Sequence, residues 1–205
     1  MSIAADVLII VCLFSLFSYT HTLLASTKIK IRLREKVKEG IAFYRLFYNI
    51  SSIITFIIFY TLSPKPDVVI YDLEFPVDII VFILQVAALA GFFIAGAQTD
   101  IKEFLGISQI IRYSRNSYDI REMDEKQILI TNGMYKYSRH PVYFFSILFL
   151  SLRPAMDLFY LTFLLCMICY FYIGSFYEEK KLIRNFGDKY LEYKKSVPRI
   201  FPKIF

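Results

Sequence analysis

Arg139-His140-Pro141, with Tyr143 two residues further on, is the part of the sequence best equipped to hold an anionic group. Asn132-Gly133 reads as a turn and Pro141 as the first residue of a helix. A helix that begins there leaves backbone N–H groups free and carries positive dipole character, which suits a carboxylate. Arg139 and His140 stand beside that end. A purely structural use is also open: Arg139 reaching lipid headgroups, His140 capping the turn, and Tyr135, Tyr137 and Tyr143 sitting in an interfacial aromatic belt. The second candidate is the adjacent pair Glu178-Glu179, which follows a long apolar run. Carboxylates at the edge of a membrane need water, cations or donors. The ribose hydroxyls or ammonium of a bound ligand would serve, and so would Lys180, Lys181 or the next loop.

The elements that must position these residues are membrane helices. The chain has 205 residues, 57% of them hydrophobic and 18% aromatic, with a mean hydropathy of +0.49. Ile3–Ala25, Phe43–Leu62 and Val77–Ala97 each reach the roughly 20 apolar residues that a bilayer-spanning helix needs. The first has no basic region before it, so it is expected to stay on the protein as an anchor. Cys12, Cys166 and Cys169 all fall within apolar runs. They support neither a disulfide framework nor a metal site, and no metal is expected.

The net charge of +6 does not indicate nucleic acid, because in a membrane protein the position of Lys and Arg matters more than their total. Lys28, Lys30, Arg32, Arg34, Lys36 and Lys38 follow the first span, whereas Ser63–Pro76 has Lys65 against Asp67, Asp72 and Glu74. The first loop is therefore cytoplasmic and the amino terminus outside. The segment Gln98–His140, with Lys102, Arg112, Arg115, Arg121, Lys126, Lys136 and Arg139, belongs inside as a folded or docked region. Val142–Leu152 would cover only about 16 Å as a helix, whereas Leu158–Tyr177 is long enough to cross. Either a tight hairpin with a short first arm or one span preceded by a half-inserted helix fits that pattern. The basic tail, Lys180 to Lys203, favours the hairpin and a cytoplasmic carboxyl terminus. The expected architecture is an all-α integral membrane protein of about five spans. Leu182, Phe186, Tyr190 and Tyr193 recur at helical spacing, so a cytoplasmic amphipathic helix should follow.

Taken in order, Gly133-x-Tyr-x-x-x-Arg-His-Pro-x-Tyr143, Glu178-Glu-x-x-Leu182, Phe186-Gly-x-x-Tyr190 and Val197-Pro-Arg199 resemble the isoprenylcysteine carboxyl methyltransferase and phospholipid N-methyltransferase superfamily. His21-Thr-Leu-Leu-Ala-Ser26 and Tyr44-Arg-Leu-Phe-Tyr-Asn49 resemble its nurim and NnrU-like branch, which includes bacterial thiol S-methyltransferases. Gly96 and Phe104-Leu-Gly106 lie where phospholipid methyltransferases carry a glycine-bearing cofactor motif, with Gln98 in place of its second glycine.

The resemblance implies one membrane-embedded methyltransferase-like domain over 1–205: three spans in 1–97, a cytoplasmic loop in 98–141, and the hairpin and tail in 142–205. It implies S-adenosyl-L-methionine as cofactor, with Arg139, His140, Pro141 and Tyr143 lining the pocket, Gly133 and Tyr135 shaping its loop, and Glu178 and Glu179 closing it. His21, Arg45 and Asn49 would orient the acceptor or lower a thiol pKa through nearby positive charge, although interhelical hydrogen bonding would also use them. The implied substrate is a small thiol or another lipophilic acceptor, in contact with membrane lipids and with no obligate protein partner. The alternatives are isoprenylcysteine carboxyl O-methylation, phospholipid N-methylation, an NADPH-dependent reductase of the wider fold, and a nurim-like protein without turnover.

Overall fold

The computed structural model describes residues 2–121 and 128–203, so Lys126 of the expected cytoplasmic loop lies outside the described residues. The three early spans form as α1 (Ile3–Ala25), α3 (Tyr44–Leu62) and α4 (Val77–Ala97). The long carboxyl-terminal apolar run forms α8 (Leu158–Phe186). By length and apolar character α1, the helical run Thr27–Leu62, α4 and α8 can each cross a bilayer. Ile53, Ile83 and Phe93 are more than half exposed, as side chains facing lipid tails should be. The protein is an all-α integral membrane protein with one small two-stranded ladder.

The basic loop after α1 is largely helical. Ser26 caps α2 (Thr27–Val37), a 3-10 stretch Lys38–Phe43 leads into α3, and Lys30 is buried. Beyond α4, Asp100 caps the short α5 (Ile101–Leu105) by accepting from the Glu103 N–H at 3.0 Å. Gly106, at φ +87°, turns the backbone into α6 (Ile107–Ser114). A Cβ there would stand 2.7 Å from the Leu46 nitrogen, so both the backbone conformation and the space require glycine.

The molecule divides into two compact units. One comprises Met1–Val11, Pro64–Thr99 and Leu129–Phe205, the other Cys12–Ser63 and Asp100–Ile128. The second unit is centred on Ile41, Tyr44 and Tyr48, packed by Leu24, Leu33 and Tyr118. In the first unit α4 lies against α7 (Pro141–Ser151). Ala88, Gly91 and Ala95 form a small-residue stripe on α4, and the Phe145 ring fills the space at Gly91. Membrane helices associate through such close packing because lipid offers no hydrophobic drive between them.

The first arm of the hairpin is short, as expected: α7 ends at Ser151, and the backbone then leads into β2 (Ala155–Asp157). This strand pairs antiparallel with β1 (Val69–Asp72) in the α3–α4 connection. Eleven helical residues cover about 16 Å, and an extended stretch at about 3.3 Å per residue brings the arm level with the start of α8. The backbone between α7 and α8 is taken up by β1 and the residues flanking it, including Leu73 N–H to Pro154 C=O at 3.0 Å and Leu158 N–H to Val68 C=O at 2.9 Å.

The expected amphipathic tail is helical in two pieces. Helix α8 continues through Glu178-Glu179 to Phe186, because Glu, Lys and Leu all favour helix. Gly187, at φ +54°, then breaks the run into α9 (Asp188–Ser196). Tyr190, Tyr193 and Val197 fold back onto Leu182, Ile183, Phe186 and Leu129, so the apolar face covers α8.

Candidate functional site

The turn before α7 and the acidic pair of α8 meet within the first unit. Arg139 is the joint. Its Nε and Nη2 donate to Glu179 Oε1 at 2.8 and 2.6 Å. Its Nη1 donates to the backbone carbonyls of Lys194, at 3.1 Å, and Val197. Those carbonyls close the carboxyl end of α9, where a cation is favoured. The backbone repeats the connection: Arg139 N–H donates to Pro198 C=O and His140 N–H to Arg199 C=O, both at 2.9 Å. Ser138 Oγ donates to Ile200 C=O at 2.7 Å.

The two glutamates differ. Glu179 has a side chain 2% exposed and also receives Arg199 Nη2 and Lys194 Nζ at Oε2, each at 3.3 Å. Glu178 has a side chain 43% exposed and lies 3.4 Å from His140 Nδ1, while the Tyr143 hydroxyl donates to it at 2.8 Å. The rings of His140, Tyr143 and Phe171 form a stacked column, with centroids 5.1 and 4.6 Å apart. Burial alone would push the His140 imidazolium towards losing its proton. The nearby Glu178 and Glu179 carboxylates outweigh that and hold its pKa above the ordinary 6.5. Tyr135, half-buried and near the Glu178 charge, is pushed up to about 12.

Two buried polar atoms beside this network have no hydrogen-bond partner among the described residues, His140 Nε2 and the Tyr190 hydroxyl. Buried groups of this kind are ordinarily satisfied by water or ligand. Gly133, at φ +57°, opens the short 3-10 turn Gly133–Lys136, whose Met134 N–H donates to Gln98 Oε1 at 3.1 Å. Gln98 thus holds the loop from the end of α4. The Tyr135 C=O accepts the Tyr193 hydroxyl at 2.5 Å, and Pro141 is the first residue of α7.

His21, Arg45 and Asn49 belong to the second unit and serve two arrangements there. Ser52 Oγ donates to Tyr48 C=O at 2.7 Å, so the 2.8 Å contact of His21 Nδ1 with Ser52 Oγ is an imidazole N–H donating. Nε2 lies 2.6 Å from the Tyr48 hydroxyl, so both ring nitrogens are engaged by side chains of α3. Arg45 Nε and Asn49 Nδ2 both donate to Phe104 C=O at 2.9 Å, and the guanidinium stands over the Tyr48 and Phe104 rings. Phe104 is fixed in turn by buried Glu103, which receives Arg112 and Gln109.

Sequence reasoning missed the parts played by Ser138, Tyr190, Lys194 and Gln98. It saw Arg199 only as a member of a pattern. A basic residue in a basic tail reads as solvated, and nothing local marks it as paired with a carboxylate twenty residues earlier.

Comparison with known proteins gives matches over nearly the whole sequence. The protein is 29% identical to methanethiol S-methyltransferase 1 of Bradyrhizobium diazoefficiens over 206 residues, covering 98% of its own length and 68% of the relative. It is 27% identical to the methanethiol S-methyltransferase of Crocosphaera subtropica over 208 residues, 99% of its own length and 77% of the relative. The protein-S-isoprenylcysteine O-methyltransferase of Schizosaccharomyces pombe is 30% identical over 143 residues, 66% of the present sequence and 58% of the relative. No family model and no solved structure matches it.

Proposed function

We propose that this protein is a member of the isoprenylcysteine carboxyl methyltransferase family, as its likeness to methanethiol S-methyltransferases and a protein-S-isoprenylcysteine O-methyltransferase supports, and that it transfers a methyl group from S-adenosylmethionine to a small thiol or similar lipophilic acceptor at the cytoplasmic membrane face. One observation carries this reading: Tyr143 and His140, at the start of α7, both meet Glu178, in the carboxyl-terminal part of α8. In the proposed topology that end is cytoplasmic, with the amino terminus outside and one methyltransferase-like domain over the whole sequence.

The residues fit a nucleoside with a charged amino-acid tail. His140 Nε2 and the Tyr190 hydroxyl are buried atoms that lack partners among the described residues, and Glu178 keeps an exposed carboxylate for hydroxyls or an ammonium. The amino end of α7 suits a carboxylate. Bound S-adenosylmethionine supplies an electrophilic methyl on a sulfonium. The protein's work is alignment and exclusion of water. Glu178, with His140 and Tyr143, binds and orients; Gly133, Tyr135 and Pro141 shape the loop; Arg139 and Glu179 hold the frame. His21, Arg45 and Asn49 are assigned to the acceptor, where the Arg45 charge favours a thiolate over a thiol.

Detergent-purified protein should be stabilised against heat by S-adenosylhomocysteine and not by NADPH. Glu178→Ala should weaken S-adenosylhomocysteine binding by at least about tenfold, the loss expected for a charge-assisted hydrogen bond, with the unfolding midpoint of the free protein preserved. Unaltered binding in this variant would reject the assignment. Stabilisation by NADPH alone would make the protein a reductase.

A further inference from the structure

We propose that Arg199 is a positioning residue of the ligand site: held over Phe176 and bonded to Glu179, it keeps the second carboxylate turned to the carboxyl-terminal strap and leaves His140 to Glu178. The proposal extends the reading above, in which His140 and Glu178 meet the cofactor. It rests on how completely Glu179 is spoken for. Oε1 receives two N–H groups of Arg139, and Oε2 receives Arg199 and Lys194. His140 Nε2 stops 3.6 Å from Oε1, outside hydrogen-bond reach, while Nδ1 is 3.4 Å from Glu178.

Arg199 is itself fixed from two sides. Its guanidinium carbon lies 3.6 Å from the centre of the Phe176 ring, a cation–π contact one turn before the glutamates on α8. Its backbone carbonyl accepts from His140 N–H at 2.9 Å. The strap around it is anchored next door by Ile200, buried with Ile147, Met156 and Leu164. Arg199 therefore touches both the carboxylate that must stay away from His140 and the backbone of His140 itself.

Without the guanidinium, Glu179 Oε2 keeps Lys194 alone, and a protonated His140 becomes the nearest replacement cation. The ring would turn towards Glu179 and off its stack with Tyr143. The charged and titratable groups at His140 are Glu178 and Glu179 from α8 and Tyr143 from α7, with Arg139 preceding it, and from α9 Lys194 reaches Glu179 rather than the imidazole. None of them would restore the lost charge at that oxygen.

The sequence has two histidines, so the His140 ring signal in labelled protein is assigned by a single substitution at His21, and its titration is read directly by NMR in detergent. Arg199→Met should raise the His140 midpoint by about one pH unit, as removal of one nearby cation does, whereas Arg199→Lys should leave it near the parental value. Phe176→Leu, which alters only the ring beneath the guanidinium at an exposed position, should shift it the same way by less, and it decides the matter if Arg199→Met fails to fold. A midpoint unchanged in these variants overturns the inference. S-adenosylhomocysteine binding by the same samples separates the two readings. Parental protein that ignores this ligand, with a His140 midpoint that still moves on substitution, keeps the strap and removes the cofactor assignment. Parental binding that weakens about tenfold in Arg199→Met supports both.

Discussion

Glu178 and Glu179 are adjacent in sequence but do different work, because a helix turns their side chains by about a hundred degrees. Glu179 is turned into a buried set of cations, and Glu178 towards the surface with an aromatic hydroxyl and an imidazole for company. His140 responds to both. Its pKa is raised on folding, so the stability it contributes is full below 6.5, its ordinary value, and is lost as pH rises through the higher folded value. The thermal midpoint of the free protein should therefore decline on going from pH 6 to pH 9, and His140→Gln should flatten that decline. An equal slope in both proteins would show that the imidazolium adds nothing. Arg139, His140 and Tyr143 were legible in the sequence because Pro141 marks a helix start and polar residues seldom gather there without use. Arg199 was not, since its partners are set by a reversal at Gly187 that no local pattern near Arg199 announces.

Among the elements, the turn that opens at Gly133 shows most directly how one position depends on another. Its left-handed backbone and the Gln98 amide both exclude a side chain, for a Cβ would lie 2.6 Å from Gln98 Oε1. Gly133→Ala should cost about 1–2 kcal/mol from the backbone alone, with a further loss from the clash. Adding Gln98→Gly should recover the second part only. Thermal unfolding of the two single variants and the double variant measures the split, and full additivity would deny the contact. The start of α7 and the three early spans lay open to sequence reading, because Pro141 and twenty-residue apolar runs are strong signals. Strand β1 did not: four residues, Val69–Asp72, in a short connection have no periodicity to read. The apolar run Leu158–Tyr177 gave the span but not the end of α8 at Phe186, since charged residues that leave a membrane remain good helix formers.

For the whole molecule, composition and the distribution of basic residues carried the class and a proposed orientation, which depend on sums over many residues and tolerate local error. With the native cysteines removed, single cysteines at Asp67 and Lys189 should differ towards an impermeant maleimide added outside intact cells. The first should react and the second should not; the reverse pattern, or equal labelling, would overturn the orientation. Division into two compact units was not legible, because it depends on which helices touch rather than on where they begin.

The ladder between β1 and β2 also bears on how the protein is made. Helix α7 has eleven residues, too few to be accepted as a span by themselves, so its insertion would depend on α8. The strand between them carries bare amide and carbonyl groups until β1 takes them up. Stable placement of α7 is therefore expected to depend on the connection between the second and third spans, which carries β1.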